Sequence, residues 1–362
     1  MAQLQSTTIS GSLDNTGSLA ISGSTLIPPF IESSATSSFT GSAGLMWINA
    51  DTQNLQYTTQ TSLGTVQSPA SFMGAWSAGA NLPTATSYAG STGVQNAFLF
   101  AGGATPSTTN ATKEYDGTSW TAGGNMITSA RSRVGGGLID AAIMATSGVP
   151  FGGATEEYNG SSWSAGGTMI VSRGVPGGAG LQNAFFIAGG YNPSKVSCTE
   201  EYDGSAWSTG TAMIVGLREG TIGGAGTQNA GLVLSGISTG DAICGCTDHY
   251  DGTSWSLGNP QLTPRIIAGA AGTQNAVSYF GGLLNPIHYN LTEEYNGVSW
   301  ANGCNLTTAR SGIAGGNGTS SQNATLAAGG YTPTIVACVE EYTKNYIPPY
   351  TTNVWVKGAP SS

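Results

Sequence analysis

At 362 residues with 56 Gly and only 8% charged residues, the chain is long enough to bury a large core and too rich in Gly, Ser, Thr and Asn to read as helical, so an all-β protein is expected. Nineteen acids against ten bases give a formal charge of −9, which excludes the basic footprint of a nucleic-acid or anionic-membrane binder. No stretch approaches the roughly 20 apolar residues of a membrane span, and the start, MAQLQSTTISGSLDNTG, has no signal-peptide pattern, so a soluble chain made in the cytosol is expected.

Residues 1 to 71 carry no repeat. TTISGSLDNTGSLAISGSTLIPPF alternates weakly and turns at Pro28 and Pro29, which reads as extended chain with no core of its own. GLMWINADTQNLQYTT, residues 44 to 59, reads as a β-hairpin whose apolar arms carry Trp47 and Tyr57. These two aromatics are candidate attachment residues.

From residue 72 the chain repeats. YDGTSW, YNGSSW, YDGSAW, YDGTSW and YNGVSW begin at Tyr115, Tyr158, Tyr202, Tyr250 and Tyr295. With Trp76 added, the tryptophans fall at Trp76, Trp120, Trp163, Trp207, Trp255 and Trp300, in steps of 44, 43, 44, 48 and 45 residues. Such a period marks a propeller or a solenoid. Each period holds four strand-sized pieces and no helical pattern: a Gly-rich segment suited to a crowded inner strand, an apolar run buried on both faces, the Tyr-bearing piece and the Trp-bearing piece. DG or NG between Tyr and Trp supplies a tight turn. Residues 307 to 342 supply three strands, and SFMGAWSAG from the start of the repeats is expected to close the ring as their outer strand. A competing closure uses TTNVWVKG, residues 351 to 358.

A double Gly ending the second strand (Gly102–Gly103, Gly152–Gly153, Gly189–Gly190, Gly281–Gly282, Gly329–Gly330), a Tyr in the third and a Trp in the fourth together resemble the kelch-repeat β-propeller over about residues 72 to 345. LSGIS in the fourth repeat and GLIDAA in the second depart from the pattern. The GTQNA, AGG and TEEYNG variant is similar to kelch-like repeats of bacteriophage virion proteins, and the 44–59 hairpin is similar to hairpins of phage fibre proteins. The resemblance implies an all-β propeller of six four-stranded blades over 72–345, a virion-attachment segment over 1–71 and a C-terminal tail over 346–362. It implies a non-enzymatic virion protein, assembled in the host cytoplasm. Such a tail, neck or fibre appendage would bind a host surface glycan, a receptor or neighbouring virion proteins, and association of like chains is compatible with it. The alternatives are a capsid-surface decoration protein and, from other classes, an intracellular kelch adaptor or a carbohydrate-active enzyme.

Candidate chemistry is sparse. Arg131, Arg173, Arg218, Arg265 and Arg310 follow the preceding Trp by 10 or 11 residues, with Thr86 at that place in the first repeat. Equivalent positions in a propeller form a ring, which would either present guanidinium groups to an anionic ligand or pair with the repeated acids, the favoured reading. The repeated Tyr and Trp are read as packing rather than as a sugar platform, because a binding site needs one asymmetric constellation. The five cysteines have no conventional disulfide or zinc spacing; CxC at Cys244 and Cys246 is a weak metal signal beside the reading as small buried thiols. Copper-oxidase members of the kelch family need paired His and Tyr ligands, whereas this chain has only His249 and His288. No nucleophile elbow or sialidase-type Asp box is present, so no catalysis, cofactor or metal is expected.

Overall fold

The computed structural model describes residues 46–48, 55–57, 64–67, 71–147, 151–215, 224–238, 240–317, 320–347 and 351–354. The chain divides into two units, residues 73–345 and the flanking 1–72 with 346–362. The first is a six-bladed β-propeller, with no helix among its described residues.

Blade 1 is built from Gly90–Val94, Ala97–Ala101, Thr112–Tyr115 and Trp120–Ala122, in that order from the axis outward. Blade 2 uses Val134–Leu138, Ala141–Ser147, Gly152–Tyr158 and Trp163–Ala165; blade 3 uses Gly177–Leu181, Ala184–Ala188, Thr199–Tyr202 and Trp207–Gly210. Blade 4 uses Ala225–Thr227, Ala230–Ile237, Ile243–Tyr250 and Trp255–Leu257; blade 5 uses Gly269–Thr273, Ala276–Phe280, Thr292–Tyr295 and Trp300–Asn302. Blade 6 takes Ala324–Ala328 and Val339–Ile347 from the end of the repeats and Ser71–Ala78 from their start as its outer strand. Its innermost segment joins through paired backbone bonds between Ala314 and Ala328. The ring is therefore closed by the strand that carries Trp76. Residues of the competing closure, Thr351–Val354, instead pair with Gly64–Gln67.

Local sequence explains the regularity. In the turn between third and outer strands, Asp116, Asn159, Asp203, Asp251 and Asn296 accept the backbone N–H groups two and three residues on. The Gly that follows each one has positive φ, 94° at Gly204 for instance, where a side chain would be strained. Inner strands are Gly-rich because neighbouring blades converge there: a Cβ on Gly136 would lie 2.4 Å from the Phe185 ring and 2.7 Å from the Gly180 carbonyl oxygen.

The double-Gly reading needs one correction. Gly102–Gly103, Gly189–Gly190, Gly281–Gly282 and Gly329–Gly330 all leave their second strands with positive φ, but Gly152 and Gly153 begin the third strand of blade 2. There the second strand runs on to Ser147, with Thr146 at φ 70° beside a register shift. Blade 4 does the same with Ser235 at φ 59°. Both blades thus carry a longer central hairpin.

In the flanking unit, Met46–Ile48 pairs antiparallel with Leu55–Tyr57, placing Trp47 opposite Gln56 and Tyr57 opposite Met46. The side chains of Trp47 and Tyr57 lie outside the described part of the structure.

Candidate functional site

The residues that repeat most strictly meet in the seams between blades. Each third strand reads Thr-Glu-Glu-Tyr or a variant, and all four positions have a task. The Tyr hydroxyl donates to the third-position Glu of the preceding blade: Tyr158 to Glu114 at 2.5 Å, Tyr202 to Glu157 at 2.6 Å, Tyr250 to Glu201 at 2.6 Å and Tyr342 to Glu294 at 2.5 Å. Tyr115 to Glu341, at 2.5 Å, closes the circuit. Burial, reinforced by the adjacent carboxylate, pushes Tyr115, Tyr158 and Tyr202 up to about 12, so the phenols stay protonated and donate. Only the seam between blades 4 and 5 differs, where His249 meets the Tyr295 hydroxyl at 3.0 Å.

The Trp indole N–H reaches back in the same sense to the first-position hydroxyl. Trp163 donates to Thr112, Trp207 to Thr155, Trp255 to Thr199, Trp300 to Thr247 and Trp76 to Thr292, over 2.9–3.1 Å. Val339 offers no hydroxyl, and Trp120 turns to the Ala80 carbonyl at 2.7 Å. Trp207 packs in one apolar cluster with Val134 and Ile143 of the preceding blade, Met169 of the connecting loop and Phe185 of its own blade. Sequence reading missed a third seam contact. The Gln of the QNA turn spans the preceding blade, as Gln182 does to the carbonyls of Ala142 and Tyr158, both at 2.9 Å. Gln95, Gln228, Gln274 and Gln322 repeat it in donating to backbone carbonyls one blade back. Ile139 takes that place in blade 2 and packs against the apolar cluster around Leu99 and Tyr158.

The second-position acid is buried against arginine. Arg173 pairs with Glu200, Arg265 with Glu293 and Arg310 with Glu340, every side chain at most 3% exposed. In blade 2 the expected Arg131 is exposed, and Arg133 pairs with Glu156 at 2.8 Å instead. Backbone register explains the exchange: Gly282 N–H bonds the Arg310 carbonyl, while Gly103 N–H bonds that of Ala130. Ala130 is thus the residue in register with the other arginines, and Arg133 fills the guanidinium site from three positions further along. Arg265 also donates to the carbonyls of Gly281, Thr263 and Tyr279, whereas Nε and Nη1 of Arg133 have no partner among the described residues. In blade 1 the pair becomes Lys113 and Thr86, 3.4 Å apart. Arg218 lies outside the described residues. The second-position acid of blade 4, Asp248, is buried with its pKa pushed up to about 7 by desolvation.

These carboxylates also pin the loop that leads from an outer strand to the next inner strand. Glu156 accepts the N–H groups of Ile127 and Thr128, Glu200 those of Ile170 and Val171, and Glu293 those of Leu262 and Thr263, at 2.7–3.1 Å; Glu340 accepts that of Thr307 at 2.6 Å. Arginine and acid are therefore occupied with each other and with backbone, and no guanidinium ring faces a ligand among the described residues.

The cysteines divide. Cys244 and Cys246 are joined in a disulfide, in place of the expected free thiols. They are second neighbours on one strand and so share a face, with Cα atoms 5.2 Å apart. Cys198 and Cys338 remain free and accept from Arg173 and Arg310 at 2.7 and 3.1 Å. Among the described residues no group of three or more His, Cys, Asp or Glu is placed to hold a metal, and no helix is long and apolar enough to cross a membrane.

Two places among the described residues are open to a partner. One is a groove of about 290 Å³ at the outer edge of the seam between blades 4 and 5, lined by His249, Ser256, Leu257, Asn259, Tyr295 and Val298. The other is the end of the propeller where the outer-to-inner loops meet the loops between second and third strands. Backbone pairs Ser87–Ala104, Gly174–Tyr191, Ile266–Leu283 and Ser311–Tyr331 tie the two loop sets together there. The second-to-third loops differ from blade to blade: ATPSTTNA, YNPSKVSC, LLNPIHYNL and YTPTIVAC, with the longer hairpins of blades 2 and 4 between them.

No family model and no curated protein sequence matches the chain. Among solved structures it is similar to one titled "Structure of YjhT", with a TM-score of 0.62 and 11% identity over 76% of this chain and 100% of that one. A likeness at that identity shows the propeller fold.

Proposed function

We propose that this chain is a kelch-like bacteriophage virion protein, a tail, neck or fibre appendage. Its propeller would bind a host surface glycan, a receptor or neighbouring virion proteins and catalyse no reaction. The observation that carries the binding reading is the division of labour within each repeat. Tyr, Trp, Gln, Arg and both acids are consumed in the seams, so chemistry that would suit a reaction is already engaged in packing. The second-to-third loops at one end differ from blade to blade, and unlike loops on a rigid repeated scaffold are the ordinary means of asymmetric recognition. The phage assignment is supported by the resemblance of the TEEYNG and GTQNA repeats and of the 44–59 hairpin to those of virion proteins. In this reading residues 1–71 attach the propeller to the particle. Mass spectrometry of purified particles tests it: the chain should be present at a fixed copy number per particle, and its absence from intact particles would end the proposal.

A further inference from the structure

The loop from each outer strand to the next inner strand alternates in a way that packing alone does not require. Six residues after each Trp comes a buried side chain: Leu82, Met126, Met169, Met213, Gln261 or Leu306. Its N–H bonds the third-strand approach of its own blade at 2.7–2.9 Å, as Met126 does to Asn110. The next residue points outward: Pro83, Ile127, Ile170, Ile214, Leu262 and Thr307 are all exposed. Ile127, Ile170, Ile214 and Leu262 are 59%, 57%, 58% and 53% exposed. An Ile or Leu so placed gains nothing from the folded core, and its repetition at four successive positions, with Pro83 and Thr307 at the other two, gives this ring of loops an apolar arc where a monomer is expected to be polar. The ring is also held in advance. Ile127, Ile170, Leu262 and Thr307 have their N–H groups fixed by the buried carboxylates of the following blade, so docking onto them costs little ordering entropy.

Charge indicates the occupant. Among the described residues of this end, the exposed charged side chains are Arg131 and Asp241, and Asp241 is paired at 2.5 Å with Lys195, whose side chain is 11% exposed. Asp116, Asp203 and Asp251 lie in the turns between third and outer strands, at the opposite end. In a chain of net charge −9, contact through the ring end keeps the acidic ends apart. A surface presenting Ile or Leu at four of six equivalent positions around an axis is matched by a surface with the same spacing, and a second copy turned about a two-fold axis supplies it. We propose that Pro83, Ile127, Ile170, Ile214, Leu262 and Thr307 form a homotypic contact on which two copies of this chain stack face to face. This goes beyond the virion reading and does not depend on it.

Analytical ultracentrifugation of the full chain, from about 1 to 100 µM, decides the matter. Wild type should reach twice the 36.4 kDa chain mass. Ile170→Asp with Leu262→Asp should weaken association at least about ten-fold, while Leu181→Asp, at the exposed tip of an inner strand at the opposite end, should leave it unchanged. Mixing the double Asp variant with Ile170→Lys/Leu262→Lys should restore the dimer. If the Asp pair impairs folding, Ile170→Ser/Leu262→Ser removes the apolar contact without adding charge and must also weaken association. A wild-type monomer throughout the range, as expected if residues 1–45 or a glycan cover the ring instead, or a dimer indifferent to these substitutions, overturns the proposal.

Discussion

Trp207 shows what a single repeat residue does. Its indole is 7% exposed, lies 5.0 Å from the Tyr202 ring and donates to Thr155 and Gly167 of the preceding blade. Trp207→Ala should therefore cost about 3 to 5 kcal/mol, read as a lowered denaturant midpoint; an unchanged midpoint would contradict its place in the seam. The buried pairs predict a different pattern. Glu200→Gln leaves Arg173 charged and unneutralised in a dry site and turns one of the two oxygens that accept the Ile170 and Val171 N–H groups into a donor, so it should cost about 3 to 5 kcal/mol. Glu200→Gln combined with Arg173→Met should cost clearly less than the sum of the single changes, and additivity would show that the two do not act as a pair. Asp248 gives a pH signature. Its folded pKa of about 7 lies above the ordinary 3.8, so between these values the folded chain holds a proton that the unfolded chain has released. Its contribution is full below pH 3.8 and is lost as pH rises to about 7. Asp248→Asn should thus gain stability relative to wild type at neutral pH, and the gain should shrink toward pH 4 in parallel urea titrations. Burial lowers His249, whose contribution has the opposite sign, falling as pH drops below the ordinary 6.5. The Asn substitution separates the two.

Among the elements, the outer strand Ser71–Ala78 carries the closure, because it joins the first repeat residues to the last blade and brings Trp76 against Phe280 and Tyr342. A chain beginning at Ser71 should fold and melt cooperatively, whereas one beginning at Gly79 should lose cooperative melting. Equal melts for the two would refute closure by this strand. The blades are legible in sequence because each repeat carries its own strand, turn and seam residues at fixed spacing: DG and NG mark the turns, and Trp marks the outer strand. Spacing misleads where it departs from register. Arg131 has the expected offset from Trp120, yet the register residue is Ala130 and the guanidinium comes from Arg133. Gly152 and Gly153 look like a strand end because blade 2 extends its hairpin, with Thr146 taking the positive-φ place of the first Gly. The exposed ring is present in sequence as the Met-Ile and Gln-Leu pairs after four of the six repeat Trp residues, with Leu-Pro and Leu-Thr after the other two, but sequence alone does not reveal that the second member points outward. The Gln clamps are likewise visible as a motif and not as contacts, since their partners are backbone carbonyls about 24 to 45 positions back, or at the far end of the chain for Gln95.

As a molecule, the propeller is a ring of seams, each using the same Tyr, Trp and Gln contacts with local substitutions, and the second-to-third loops at one end differ from blade to blade. That organisation supports a display scaffold more readily than a catalyst. The proposed virion role adds one demand, that residues 1–71 hold the propeller to a particle while the propeller folds without them. The most direct measurement is the protein content of particles assembled with full-length chain or with a chain beginning at Ser71, which keeps the closing strand. The virion account predicts that both chains fold, that the full-length chain is recovered in purified particles, and that the shortened one is left behind. Recovery of the shortened chain at the normal copy number, or absence of the full-length chain from intact particles, would contradict it.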